Sequence, residues 1–194
     1  MLFSSIWSLS LCLFSAGALA ANNDKSHHPT VYLIRHGEKP ADPDNHELTL
    51  DGLKRAQCLR QVFGAKSGYD IEYIMAPKMK SSNGGHGRAL KTVQPLAADL
   101  GLDVDLHCKR KDTTCVADAI RSYDGPGNIL ISWRHKNMGE IQEALGSAEP
   151  VEYPNDRFDL IWTIPYPYDR ITVTQSEECP GLDTKDHPDL VVQY

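Results

Sequence analysis

Three short stretches of this chain carry residues able to handle an oxyanion. Arg35-His36-Gly37-Glu38 follows an apolar, β-branched run; Arg88-Ala89-Leu90-Lys91-Thr92 opens an amphipathic stretch; Trp133-Arg134-His135-Lys136 follows a second apolar run. A phosphate monoester carries about −1.5 to −2 charge near neutral pH. Planar, permanently charged arginines match its oxygens better than mobile lysines do. A neutral imidazole can attack phosphorus in line and form a phosphohistidine, dividing one difficult displacement into two easier ones. Arg35 and Arg88 are therefore candidate anchors of an anion, His36 a candidate nucleophile and His135 a candidate donor to the same anion. A cation at position 88, where a helix begins, opposes the helix dipole unless an anion sits beside it.

These residues need a frame that brings them together. Thr30-Val31-Tyr32-Leu33-Ile34 reads as a buried strand ending at Arg35. Leu53, Ala56, Leu59 and Phe63 recur at helical intervals after Thr49 and Asp51, both candidate caps, and Gly64 and Gly68 close the helix. Ile71 to Met75 reads as a second strand, Ala89 to Leu100 as a helix that Pro95 should bend, and Asp103 to His107 as a third strand. Cys115 to Tyr123 reads as helix, Asn128 to Trp133 as a fourth strand and Met138 to Leu145 as a further helix. Phe158 to Ile164 and Arg170 to Thr174 read as two last strands, before a polar, loop-like tail beyond Glu177. Such alternation predicts an α/β fold, a three-layer sandwich with a mostly parallel central sheet flanked by helices. Ligands of such sheets bind beyond the carboxyl ends of the strands, where His36 and His135 both fall.

The composition limits what else the chain can be. At 194 residues, 41% hydrophobic and 24% charged, it suits one ordinary globular domain, expected over residues 21–194. A formal net charge of −6 gives no general attraction to nucleic acid or to anionic membranes, so an anion site must be built locally. Met1 to Ala20 is uncharged and apolar, too short and Ser-interrupted to span a bilayer comfortably, and ends in Ala18-Leu19-Ala20. It reads as a secretory signal peptide, despite lacking a basic start, with an uncleaved anchor as the alternative; no later segment could span a membrane. Secretion would expose Cys58, Cys108, Cys115 and Cys179 to an oxidising compartment. The short Cys108–Cys115 separation favours that disulfide, worth about 2.5 kcal/mol on the chain-entropy model; reduced thiols and zinc are the rivals, and no zinc-finger spacing supports the latter.

Taken together, Arg35-His36-Gly37, the Arg-Ala-x-x-Thr pattern at Arg88 and the strand-end His135 resemble the histidine phosphatase superfamily, in its compact, phosphoglycerate mutase-like branch. The resemblance runs from Val31 to about Ile141. It implies that His36 is the nucleophile, that Arg35, Arg88 and His135 bind the phosphoryl group, that Gly37 supplies the carbonyl orienting His36, and that no metal or cofactor is needed. It also implies an acid after the third strand to protonate the leaving group: Asp112, with Asp118 and Glu38 as the other candidates. Glu38, Thr92 and Arg134 are candidate substrate-binding residues. Two departures stand out. Ala76-Pro77 is separated from Arg88 by a long insert, and Lys136 replaces the glycine usual after the second histidine.

The function this implies is phosphomonoester hydrolysis on a small molecule or peptide outside the cell. A phosphate- or partner-binding module without turnover, and a phosphomutase, are the alternatives. Lys78, Lys80, Arg88 and Lys91 in an acid-free stretch from Ala76 to Ala98 either form a solvated face or steer polyanions. Adjacent His27 and His28 lie in a terminal stretch that seldom makes a metal site. Trp162, Tyr166 and Tyr168 either pack the last strands or line a pocket.

Overall fold

The computed structural model describes residues 27–82 and 84–183; the expected leader, residues 1–20, lies outside them. Six strands form one sheet in the order β3-β2-β4-β1-β5-β6. They are β1 (Val31–Arg35), β2 (Ile71–Met75), β3 (Val104–Asp105), β4 (Asn128–Trp133), β5 (Leu160–Ile164) and β6 (Val173–Ser176). The first four are parallel, whereas β5 and β6 run antiparallel. Four helices cover the sheet: α1 (Leu50–Val62), α2 (Gly87–Leu100), α3 (Thr113–Ser122) and α4 (Met138–Leu145). The α/β architecture with a mostly parallel sheet is the one expected.

Strand periodicity assigns the two faces. On one, Val31, Leu33, Ile129, Ile131 and Trp133 pack under α3 and α4 against Val116, Ile120, Met138 and Ile141. On the other, Ile34, Ile74 and Leu130 pack under α1 and α2 against Leu59, Phe63, Val93 and Leu96. Both faces are buried, which is why β1 and β4 read as nearly continuous apolar runs rather than alternating ones.

Boundaries moved where tertiary pairing overrode local pattern. Only Val104 and Asp105 of the expected third strand pair with β2. The last strand starts at Val173, because its register is set by pairing with Leu160 to Thr163 of β5. Helix α2 runs through Pro95 and ends at Gly101, whose φ of 70° suits glycine. Trp162 and Tyr168 are buried while Tyr166 is exposed and stacks on His28, its ring centroid 3.8 Å away. His27 Nε2–H donates to the Gly127 carbonyl.

Two disulfides are present among the described residues. Cys108–Cys115 is the expected one; Cys58–Cys179 ties α1 to the segment after β6. The two clusters of potential metal-ligating residues among the described residues, His107/Cys108/Cys115 and Glu177/Cys179/Asp183, both rely on cysteines held in these disulfides. No described helix is long and apolar enough to cross a membrane.

Candidate active site

The register of the central strands explains where the chemistry gathers. In the parallel β1–β4 pair Arg35 stands opposite Trp133, so the two strands finish level and deliver His36 and His135 to the same edge. The His36 amide donates to the Trp133 carbonyl at 3.0 Å and locks the two strand ends together. A cavity of about 670 Å³ opens there, and Arg35, His36, Arg88 and His135 all line it. Residues from three separate stretches thus meet in one concave site of a size usual for small ligands.

His36 is 6% exposed, and its Nδ1–H donates to the Gly37 carbonyl at 2.8 Å, which leaves Nε2 with its lone pair free. Burial drives its pKa down to about 3, and the nearby charges of Arg35 and Arg88 add to this against the pull of the Gly37 carbonyl. The ring is neutral at pH 7. His135 is lowered to about 4, again mainly by burial and then by Arg35. Its Nε2 lies 2.9 Å from Asn155 Oδ1, and its buried Nδ1 has no partner among the described residues.

Arg35 is 2% exposed and held on three sides. Nη1 donates to the carbonyls of Pro154, Asn155 and Arg157 at 3.3, 2.8 and 2.5 Å, and the guanidinium lies 3.7 Å above the Phe158 ring. Burial lowers its pKa to about 10, which keeps it charged. Arg88 sits in the first turn of α2, where no side chain caps the helix and no acid lies in that turn. It donates to the carbonyls of Glu47 and Asn45, leaving its charge without a carboxylate partner among the described residues.

Thr92 and Glu38, expected on the substrate, work behind the cavity. The Gly37 amide donates to Thr92 Oγ1 at 2.8 Å, and that hydroxyl donates to the Arg88 carbonyl at 2.8 Å. Fully buried Thr92 therefore couples the loop that carries His36 to the turn that carries Arg88. Glu38 pairs with buried Arg55 of α1, an arginine that nothing in the sequence singled out. At Gly52, also on α1, an added Cβ would lie 2.5 Å from the Glu38 carbonyl oxygen, so only glycine lets this helix press on the loop.

Neither of the other expected acids reaches the cavity wall. Asp112 is the N-cap of α3 and accepts from the Cys115 amide at 3.2 Å. Asp118 is exposed on that helix and pairs with Arg121. The local sequence explains the position of Asp112: an aspartate immediately before a helix that starts at Thr113 has a waiting partner in the helix's own amides. Asp44 is the carboxylate that does line the cavity. Arg134 lines it too. Asn155 lines the cavity as well, although a single Asn in a Pro-Asn-Asp turn carries no signal of a site in sequence.

No protein-family model and no curated protein matches the sequence. Solved structures do match. The protein histidine phosphatase SixA in complex with tungstate superposes with a TM-score of 0.54 at 16% identity, over 76% of this chain and 97% of that one. Phosphoserine phosphatase from Entamoeba histolytica, in complex with 3-phosphoglyceric acid, gives 0.53 at 16% identity over the same shares. A putative α-ribazole-5′-P phosphatase from Escherichia coli gives 0.51 at 16% identity, over 78% and 98%. This chain has the histidine phosphatase fold.

Proposed function

We propose that this chain is a secreted phosphomonoester hydrolase working through a phosphohistidine on His36. The observation that carries the reading is that Arg35, His36, Arg88 and His135 line one cavity while the Gly37 carbonyl holds Nδ1 and frees Nε2. Likeness of fold to phosphatases supports it. The Nε2 lone pair of His36 attacks phosphorus as the ester P–O bond breaks, and the bond electrons leave with the alkoxide. Arg35 and Arg88 face the charge that spreads over the remaining phosphoryl oxygens. An arriving dianion raises the pKa of His135, and the imidazolium it favours adds to the positive charge facing the phosphoryl oxygens. Water then attacks phosphorus, the P–N bond breaks with its electrons returning to Nε2, and the proton lost by the water passes to the carboxylate that protonated the leaving group. Asp44, the one carboxylate on the cavity wall among the described residues, protonates the leaving group in this reading. The two disulfides suit the oxidising compartment that a signal peptide over residues 1–20 would reach.

Rapid mixing with p-nitrophenyl phosphate tests the reading. A burst approaching one nitrophenolate per chain, with an acid-labile phosphoenzyme, is the expected result. A binding module, favoured by the withdrawal of Asp112, Asp118 and Glu38 from the cavity, would instead show phosphate protecting the fold without any release of nitrophenolate.

The lowered pKa of His36 also fixes the acid side of the rate profile. Because kcat/KM reports the free protein, and His36 in that state deprotonates near 3, its nucleophilic form persists well below the usual histidine range. After correction for the substrate's own ionisation, kcat/KM should hold down to about pH 4. A fall centred near 6.5 would mean that the nucleophile is solvated and the burial argument wrong.

A further inference from the structure

One phosphoryl group needs only the innermost corner of this cavity, yet the cationic lining extends far beyond it. Besides Arg35 and Arg88, the wall includes Lys39, Lys80, Arg110, Arg134 and Lys136, against the single carboxylate of Asp44. None of these five cations has an ion-pair partner among the described residues. This happens on a chain whose formal net charge is −6, so the local excess runs against the composition. The basic surface also continues outwards. Lys80 and Arg110 are shared with an adjoining hollow of about 480 Å³ whose other walls include Lys78, Lys109 and Lys111 and no carboxylate.

Arg110 is the best-built member of this outer wall. It lies inside the loop closed by the Cys108–Cys115 disulfide. Its carbonyl accepts from the Trp133 indole at 3.0 Å, and the Cys108 carbonyl accepts from the Lys78 amide at 2.8 Å. Its Nε is buried without a hydrogen-bond partner among the described residues. A buried, unpartnered guanidinium N–H beside other cations is costly without a ligand. Burial, and after it the nearby charge of Arg134, depresses the pKa of both Arg110 and Arg88.

We propose that the outer wall, centred on Arg110 and Arg134, binds further phosphate groups of the same substrate, so that the preferred substrate is a small molecule bearing several phosphates. The proposal rests on the phosphatase reading for the group held at His36, and extends it outward. A nucleic-acid strand fits less well, because neither hollow is lined by a Phe, Tyr or Trp on which bases could stack.

Isothermal calorimetry on the full chain tests this with three probes: inorganic phosphate, tripolyphosphate and inositol hexakisphosphate. At least one polyphosphate should bind about 100-fold more tightly than inorganic phosphate, consistent with two or more added charge-assisted contacts. The pair distinguishes a phosphoanhydride chain from a phosphorylated polyol. Arg110→Gln should weaken that polyphosphate about ten-fold and inorganic phosphate less than three-fold, with Arg110→Lys intermediate. Arg134→Gln should behave alike, and the Cys108→Ser/Cys115→Ser double variant, which frees the loop, should follow Arg110→Gln. Polyphosphates binding no better than inorganic phosphate, or equal losses for all probes, would overturn the proposal. Turnover of simple monoesters without polyphosphate preference would sink it and leave the phosphatase reading standing. Tight polyphosphate binding without any turnover would do the reverse.

Discussion

Replacing His36 with alanine should lower phosphatase turnover by about 10⁴-fold or more, since on the proposed mechanism its Nε2 attacks phosphorus, whereas the Nε2 of His135, the other buried imidazole on the cavity wall, is engaged with Asn155. The loss should fall on kcat and on kcat/KM together, because the nucleophile's bond forms only as the reaction proceeds. Phosphate binding should survive, because Arg35, Arg88 and His135 remain. A structural consequence accompanies the kinetic one. In the folded chain the His36 pKa is lowered to about 3 from 6.5, so between these values the unfolded chain binds the extra proton. Stability contributed by neutral His36 is therefore present above about 6.5 and lost as pH falls towards 3. His36→Ala removes that dependence, and its melting temperature should gain on the parent between pH 7 and pH 4. Turnover at the parental rate would refute the assignment outright. An unchanged pH slope would show that the ring is not desolvated.

The second large effect concerns stability. Arg55 is 2% exposed and donates to three carboxylates: Glu38 at 2.7 Å, Glu177 at 2.6 Å and Asp183 at 2.8 Å. Burial pushes the Glu177 carboxyl up, to about 8, against the pull of Arg55. Arg55→Met keeps much of the volume but leaves three acids facing one another without a counter-charge. A broken buried pair costs about 3–5 kcal/mol, which for a domain of this size is roughly 10 °C in melting temperature. The sign of the pH dependence follows from charge. Acidification neutralises the stranded carboxyls, so the deficit of Arg55→Met should be greatest near pH 8 and shrink towards pH 5. Glu177 by itself acts in the same sense: its folded pKa lies above the unfolded value, so its contribution is full below about 4.5 and fades as pH rises through 8. Glu38 lies two residues after His36, the proposed nucleophile, so activity should fall before the chain unfolds. A melting temperature within 2 °C of the parent at pH 8, measured by calorimetry, would show that these charges contribute little.

The Arg55 cluster also links distant parts of the chain. It joins the loop after β1, helix α1 and the segment after β6, and the Cys58–Cys179 disulfide crosses the same region. In sequence that last segment reads as a polar tail. In the structure Glu177 and Cys179 are among the most buried residues.

What the sequence determined by itself is the alternation of strands and helices, and with it the edge where ligands gather. Apolar runs such as Asn128 to Trp133 and helical spacing such as Leu59 to Phe63 are local signals, and both survive intact because both faces of the sheet demand them. The short motif around His36 was equally legible, because a strand end in a parallel sheet is functional ground wherever it occurs. Tertiary structure alone decided which neighbours those residues keep. Whether an acid such as Glu38 faces the cavity or a buried arginine depends on side-chain direction and on contacts across 17 residues, as for Glu38 and Arg55. Asn155 against His135, Thr92 between Gly37 and Arg88, and Arg110 on the outer wall are likewise products of packing. Periodicity reports which residues leave water. It does not report which partner they meet, because that choice is made by long-range geometry and by the cost of burying a charge alone.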